Sequence, residues 1–145
     1  MVRILSNILG VNVEILEYRI GWERQDNRLL MQILAVYTFN SIFAPQATII
    51  PQLHVKIISS KNETLFEQDI ALDKLQIKQG QTMTILHDIR TNYIPHTEHY
   101  GLDANIDMVI TTIYKPLFGL IWQYKHTSYA VTSTIIPSSK SGQTD

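Results

Sequence analysis

The stretch that most constrains this chain is Leu29 to Phe43, LLMQILAVYTFNSIF, its longest nearly uncharged run, which ends in an Asn-Ser turn signal with Pro45 just beyond. Read with period two, Leu29, Met31, Ile33, Ala35, Tyr37 and Phe39 share one face, and Leu30, Gln32, Leu34, Val36, Thr38 and Asn40 share the other. Both faces are largely apolar. A strand of this kind belongs in the middle of a sheet, covered on one side by a second sheet and on the other at least partly by flanking elements.

The rest of the chain repeats the period. Val11, Val13, Ile15 and Glu17 alternate with Asn12, Glu14, Leu16, Tyr18 and Ile20 in a first strand, and Gln25-Asp26-Asn27 suits the turn into the central one. After a loop over Asn40 to Gln46, Leu53, Val55 and Ile57 alternate with His54, Lys56 and Ile58. Thr64 to Ile70 forms a further strand with Phe66 and Ile70 toward the core. Asp73 to Lys78 forms a short strand, and Gln79-Gly80-Gln81 turns the chain into Thr82 to Ile89. Arg90 to Leu102, RTNYIPHTEHYGL, breaks the period and is the longest loop. Ala104, Ile106, Met108, Ile110, Thr112 and Tyr114 then share one face of a long strand. Lys115 to Gly119 reads as a turn, followed by strands over Leu120 to Tyr124 and Tyr129 to Ile135. Eight or nine short strands with almost no helix predict an all-β fold, an antiparallel two-sheet β-sandwich of immunoglobulin or fibronectin type. A sheet with one apolar face is stable only when a second sheet covers it.

At 145 residues the chain is one domain in size, and its 17% of charged residues lies well under the roughly 25% of an ordinary globular protein. Residues 11–136 are expected to form that domain, with a short amphipathic arm over 1–10 and a polar, disordered tail over 137–145. In the arm, Ile4, Leu5, Ile8 and Leu9 recur at helical spacing and Gly10 is placed as a stop. A formal charge of -1 supplies no field to attract nucleic acid, so none is expected as a partner. With no cysteine, disulfides, thiolate zinc sites and cysteine nucleophiles are excluded. The apolar stretches are too short for a membrane-spanning helix, and MVRILSNILG is too short for a secretory signal. A soluble, cytoplasmic protein is expected, its arm free to touch a membrane surface.

Polar constellations are sparse. His96-Thr97-Glu98-His99, with His87, Asp88 and Asp103 nearby, is the densest set of metal-ligand types. Its histidines lie three apart beside Pro95 and Gly101, not four apart on a helix as in H-E-x-x-H, so a solvated loop is the preferred reading. Glu67 and Asp69 share a strand face about 7 Å apart, a separation a glycosidase could use, but no third polar group joins them in the sequence. Phe118, Trp122, Tyr124 and Tyr129 interleave with Lys115, Lys125 and His126 as on single-strand nucleic-acid platforms, yet packing accounts for them more simply. No nucleophile elbow or phosphate loop occurs. The prediction is a non-enzymatic protein with neither cofactor nor metal.

The order of features resembles the folded, atypical late-embryogenesis-abundant proteins and their water-stress and hypersensitive-response (WHy) domains. Leu29 to Phe39 followed by Asn40-Ser41-Ile42-Phe43-Ala44-Pro45 is similar to that family's long apolar strand and Asn-centred turn, with Ser41 where the family often has proline. LHVKIISSKNETLFEQDIALDKLQIKQGQTMTI and IDMVITTIYKPLFGLIWQY resemble its later strand pair, Gly turn and closing hairpin. The resemblance implies a small sandwich without enzyme activity, associated with desiccation or stress tolerance and sometimes with membranes. It supplies no catalytic residues. Arrestin-like adaptors and viral structural sandwiches would show the same alternation.

A binding or protective role follows as the expectation. The contact surface is placed on Tyr93, His96, Glu98, His99 and Tyr100 of the long loop, since such loops are more often functional than plain connections require. Ile4, Leu5, Ile8 and Leu9 form a second candidate, toward membrane or an unknown protein partner. An exposed sheet edge would allow a homodimer.

Overall fold

The computed structural model describes residues 10–40, 45–99, 101–116, 124–126 and 130–135. Nine strands lie among them: β1 Gly10–Trp22, β2 Leu29–Asn40, β3 Gln46–Ser59, β4 Thr64–Ala71, β5 Leu75–Lys78, β6 Thr82–Arg90, β7 Ala104–Pro116, β8 Tyr124–His126 and β9 Ala130–Ile135. Every pairing is antiparallel. One sheet has the order β1-β2-β6. The other runs β4-β3-β7-β8, with β5 also on β3 and β9 also on β7. The chain thus changes sheet after β2, after β5 and after β6, and the fold is an all-β, two-sheet antiparallel sandwich.

The central run behaves as its period requires. Leu29, Met31, Ile33, Ala35, Tyr37 and Phe39 are each no more than 2% exposed. They face Ile49, Leu53, Val55 and Ile57 of β3 and Ile106, Met108 and Ile110 of β7 across the sandwich. Apart from Ala35, each such side chain contributes roughly 1.5–3 kcal/mol on leaving water, so this layer is the main source of stability. On the other face of β2, Gln32 is exposed and the remaining side chains are only half-buried. Among the described residues no layer lies over that face.

Strand β1 departs from the simple alternation. Its register shifts between Ile15 and Glu17, and an inserted residue of this kind reverses which side chains point inward. Val11, Val13 and Ile15 pack on the core before the shift, and Tyr18, Ile20 and Trp22 pack on it afterwards. Glu17, placed on the apolar face by strict alternation, is exposed, and Leu16 points out with 53% exposure. The bulge rescues three large apolar side chains at the cost of one exposed leucine.

Strand β3 begins at Gln46, seven residues before the alternation that starts at Leu53, because Pro51 interrupts the pattern without breaking the strand. The Pro51 carbonyl accepts from Leu72 N–H at 3.1 Å. In extended chain the N–H and C=O of one residue point the same way, so the missing donor faces the gap between β4 and β5. Gly80 closes the β5–β6 turn at φ 77, and Gly10, expected to stop a helix, instead opens β1 at φ 133, paired with Asn40. Strand β7 runs on through Pro116, where a turn was expected. The arm residues Ile4, Leu5, Ile8 and Leu9, the turn after Asn40, the aromatics Phe118, Trp122 and Tyr129, and the 137–145 tail lie outside the described residues.

Candidate functional site

Three polar or exposed features remain once the core is set aside. The first is the loop after β6. Its opening residues continue the sheet: Thr91 N–H and Oγ1 both donate to the Leu29 carbonyl, at 3.1 and 2.8 Å, and Leu29 N–H donates to the Tyr93 carbonyl at 2.9 Å. Tyr93 is therefore carried inward and is 3% exposed. Its ring lies 6.2 Å from Trp22 and 5.1 Å from Phe66, and burial pushes its phenol up to about 12.

This corrects the placement of Tyr93 on a contact surface. The residue caps one end of the sandwich. His99 stacks on Tyr93 with ring centroids 6.4 Å apart, and His96 meets His99 edge-on at 5.4 Å. His96 and Glu98 are exposed and His99 is half-buried beside the short 3-10 turn Thr97–His99, while Tyr100 lies outside the described residues. His87 and Asp88 do not join them. His87 points into the core, where Tyr37 Oη lies 2.7 Å from its Nε2, and Asp88 points outward and accepts from Gln32 Nε2 at 2.7 Å. Among the described residues no group of three or more carboxylates and histidines is arranged to hold a metal.

The second feature is a histidine clamp that pairing register creates. His54 on β3 stands opposite Asp69 of β4, and Lys56 stands opposite Glu67. Glu67 and Asp69 share a face, as their spacing requires, and the imidazole lies between them: Nδ1 to Asp69 at 2.5 Å and Nε2 to Glu67 at 2.8 Å. With an acceptor at each nitrogen, both ring nitrogens donate and the imidazolium is favoured. The hydrogen bond to Asp69, helped by that to Glu67, holds the His54 pKa above the ordinary value against the opposing effect of burial. The third polar group missing from the Glu67–Asp69 pair in the sequence is thus present. It occupies both carboxylates as an ion-pair partner and leaves no free nitrogen to act as a base.

The third feature is the outer face of the β1-β2-β6 sheet. Leu86 projects from β6 with 56% exposure, beside Leu34 in register, and Leu16 projects from β1, on the far side of β2, with 53% exposure. One register step beyond lies an open concavity of about 360 Å³, floored by Leu30 and bordered by Arg19, Gly21, Gln32, Asp88 and Arg90. No atom lies within 4 Å of where a Gly21 side chain would begin, so the glycine leaves that floor open. Arg90 is held at the rim by Glu23, at 3.0 and 3.1 Å, and by Asp26 at 3.5 Å. The Arg90 hydrogen bond keeps the Glu23 carboxyl below the ordinary range.

This face was not singled out by the sequence reading. A signal for it exists: Leu16 and Leu86 each occupy an otherwise polar row at period two, Asn12-Glu14-Leu16 and Thr82-Thr84-Leu86-Asp88. Large apolar residues on a polar row mark either a buried outer face or an exposed patch.

The fold and these surfaces define a small antiparallel sandwich whose polar groups largely satisfy one another; of its exposed large apolar residues, Leu16 and Leu86 lie on one sheet and Ile94 in the loop after β6. No family model and no curated protein matches the chain. Solved structures share its fold, two of them as follows. A Bordetella pertussis protein given the provisional name ApaA is 10% identical with a TM-score of 0.51, the match covering 86% of this chain and 94% of that one. A structural-genomics target designated SoR45 is 11% identical with a TM-score of 0.53, covering 85% and 84%. At such identities the likeness concerns fold alone. No helix among the described residues is long and apolar enough to cross a membrane.

Proposed function

We propose that the chain is a non-enzymatic binding module that meets a protein partner through the outer face of the β1-β2-β6 sheet. The observation that carries this reading is the exposure of Leu16 and Leu86, 53% and 56%, on a face whose middle strand also turns Leu30, Leu34 and Val36 outward. Exposed apolar side chains gathered on one face mark interaction sites in soluble proteins. The polar clusters support the same reading, because three of the candidate acids and bases are already engaged: His54 by two carboxylates, His87 by Tyr37, and Glu23 by Arg90. A desiccation-related role rests on the sequence resemblance alone.

Site-directed photo-crosslinking in cells tests the reading. A photoreactive residue in place of Leu86 or Leu16 should give discrete adducts, and one in place of Lys61, in the β3–β4 turn, should give none. Adducts formed only from Glu98, with Leu86 and Leu16 silent, would move the contact surface to the loop and overturn the proposal.

A further inference from the structure

The register of the three strands arranges the exposed sheet face in rows. Glu14, Val36 and Thr84 form one row, Glu17, Leu34 and Leu86 the next, Arg19, Gln32 and Asp88 the third, and Gly21, Leu30 and Arg90 the fourth; Asn12, Thr38 and Thr82 lie beyond the first. The bulged Leu16 adds its side chain to the outer face between the first and second rows. The patch therefore has Leu34 and Leu86 at its centre with Glu17 at the β1 end of that row; along β1, Glu14 lies on one side of the row and Arg19 on the other, while Asp88, which accepts from Gln32, ends the Arg19 row on β6. Among the described residues Glu14, Glu17 and Arg19 take part in no ion pair.

We infer that the occupant of this face is a second copy of the same chain, packed sheet against sheet about a two-fold axis that runs along the Leu34–Leu86 row. The inference rests on the reading that this face is the contact surface. An axis in that position superposes each row on its mirror: Leu34 meets Leu34, Leu86 meets Leu86, and the Arg19 row of one copy lies over the Glu14 row of the other. Each unpaired arginine then finds an unpaired glutamate twice over, as an isologous interface requires. Gly21 comes over Asn12 of the partner copy, Leu30 over the small Thr38, and Arg90 over Thr82.

Two alternatives fit less well. Edge-to-edge pairing through β6 would flank Leu86 with a neighbouring strand, leaving its outward face open, and would leave Leu16, on the opposite edge strand, wholly untouched. The outer edge of β1 is interrupted by its bulge, a feature that blunts strand addition. Only face-to-face packing buries both leucines at once. Three strands about 4.8 Å apart and some nine residues of about 3.4 Å give a footprint of about 400 Å² per copy. The total of about 800 Å² lies below the roughly 1,200–2,000 Å² of stable specific complexes, so the dimer is a weak, transient and concentration-dependent one, in the micromolar to submillimolar range.

Sedimentation velocity over about 10 µM to 1 mM reads this directly. The wild type should shift from monomer to dimer across that range. Leu86→Lys and Leu16→Lys should each weaken association at least about tenfold with an unchanged denaturation midpoint. Arg19→Glu or Glu14→Arg alone should weaken it, and the double charge swap should restore it. Glu17, which meets its own copy at the rim, adds a sharper check, since Glu17→Gln should tighten the dimer. A chain that stays monomeric at the highest concentration overturns the inference, and so does a dimer indifferent to Leu16→Lys, which would be edge pairing through β6. If the chain is monomeric while crosslinks from Leu86 capture a different protein, the binding face stands and only the self-association fails.

Discussion

Two histidines with opposite environments should give the fold a stability maximum near pH 6.5, and the acidic side of that maximum belongs to His87. Its imidazole is buried between the sheets, and burial lowers its pKa while the field of Asp73 works in the other direction. In the unfolded chain a histidine takes up its proton near pH 6.5, whereas folded His87 resists it. Stability contributed by the neutral ring is thus fully present above about 6.5 and is lost as pH falls below that value toward the folded pKa. While only the unfolded state is protonated, the loss is about 1.4 kcal/mol per pH unit.

His54 has the reverse sign. Its folded pKa is raised, chiefly by Asp69, so its contribution is complete below about 6.5 and is lost as pH rises through the higher folded value. The side chains of His54, Glu67 and Asp69 are 37%, 49% and 60% exposed, so solvent screens this limb and it is the shallower one. Urea unfolding monitored by tryptophan fluorescence at half-unit steps from pH 5 to pH 8 gives both slopes. His87→Gln should flatten the acidic limb and leave the alkaline one, and His54→Gln should do the converse. A wild type whose stability keeps rising from pH 6.5 to pH 5, or an acidic limb that survives His87→Gln, would refute the reasoning.

Other outcomes are equally specific. Thr112 is fully buried and its hydroxyl has no partner among the described residues, so Thr112→Val should raise the unfolding free energy by about 1 kcal/mol in urea titrations. Tyr37→Phe should cost about 1–3 kcal/mol by leaving His87 Nε2 buried and unpaired. Much of that loss should be recovered when His87 is also made apolar, which a double-mutant cycle measures. Gly80→Ala, which meets no steric neighbour, should still cost about 1 kcal/mol because the turn holds φ at 77. Ile33→Ala in the central strand should cost about 2–5 kcal/mol, against under about 0.5 for Leu86→Ser on the exposed face, by the same titration.

Much of the architecture is legible in the sequence because strand alternation records which side of a sheet meets water. The inward rows of β2, β5 and β7 follow that record residue for residue, and so do the turns at Asp26-Asn27 and Gly80. The reading fails where one residue changes the phase or the neighbour is remote. The β1 bulge turns Leu16 and Glu17 outward and Tyr18 and Ile20 inward, and no local propensity marks which residue the partner strand will skip. Tyr93, in a segment as polar as any loop, is drawn into the core because its backbone extends the β2 ladder at Leu29.

By itself, then, the sequence determined the double-faced central strand LLMQILAVYTFN, the all-β class and the sandwich that such a strand requires, since these depend on a period of two carried by neighbouring residues. Tertiary structure alone decided that His54 would be gripped by Glu67 and Asp69, that His87 would be neutral and capped by Tyr37, and that Leu16 and Leu86 would lie on one open face. Those outcomes depend on strand register, which brings together side chains 13 to 50 residues apart in the histidine contacts and 70 apart on the open face. A hydrogen bond or an exposed patch is a property of that register and not of any segment that contributes to it.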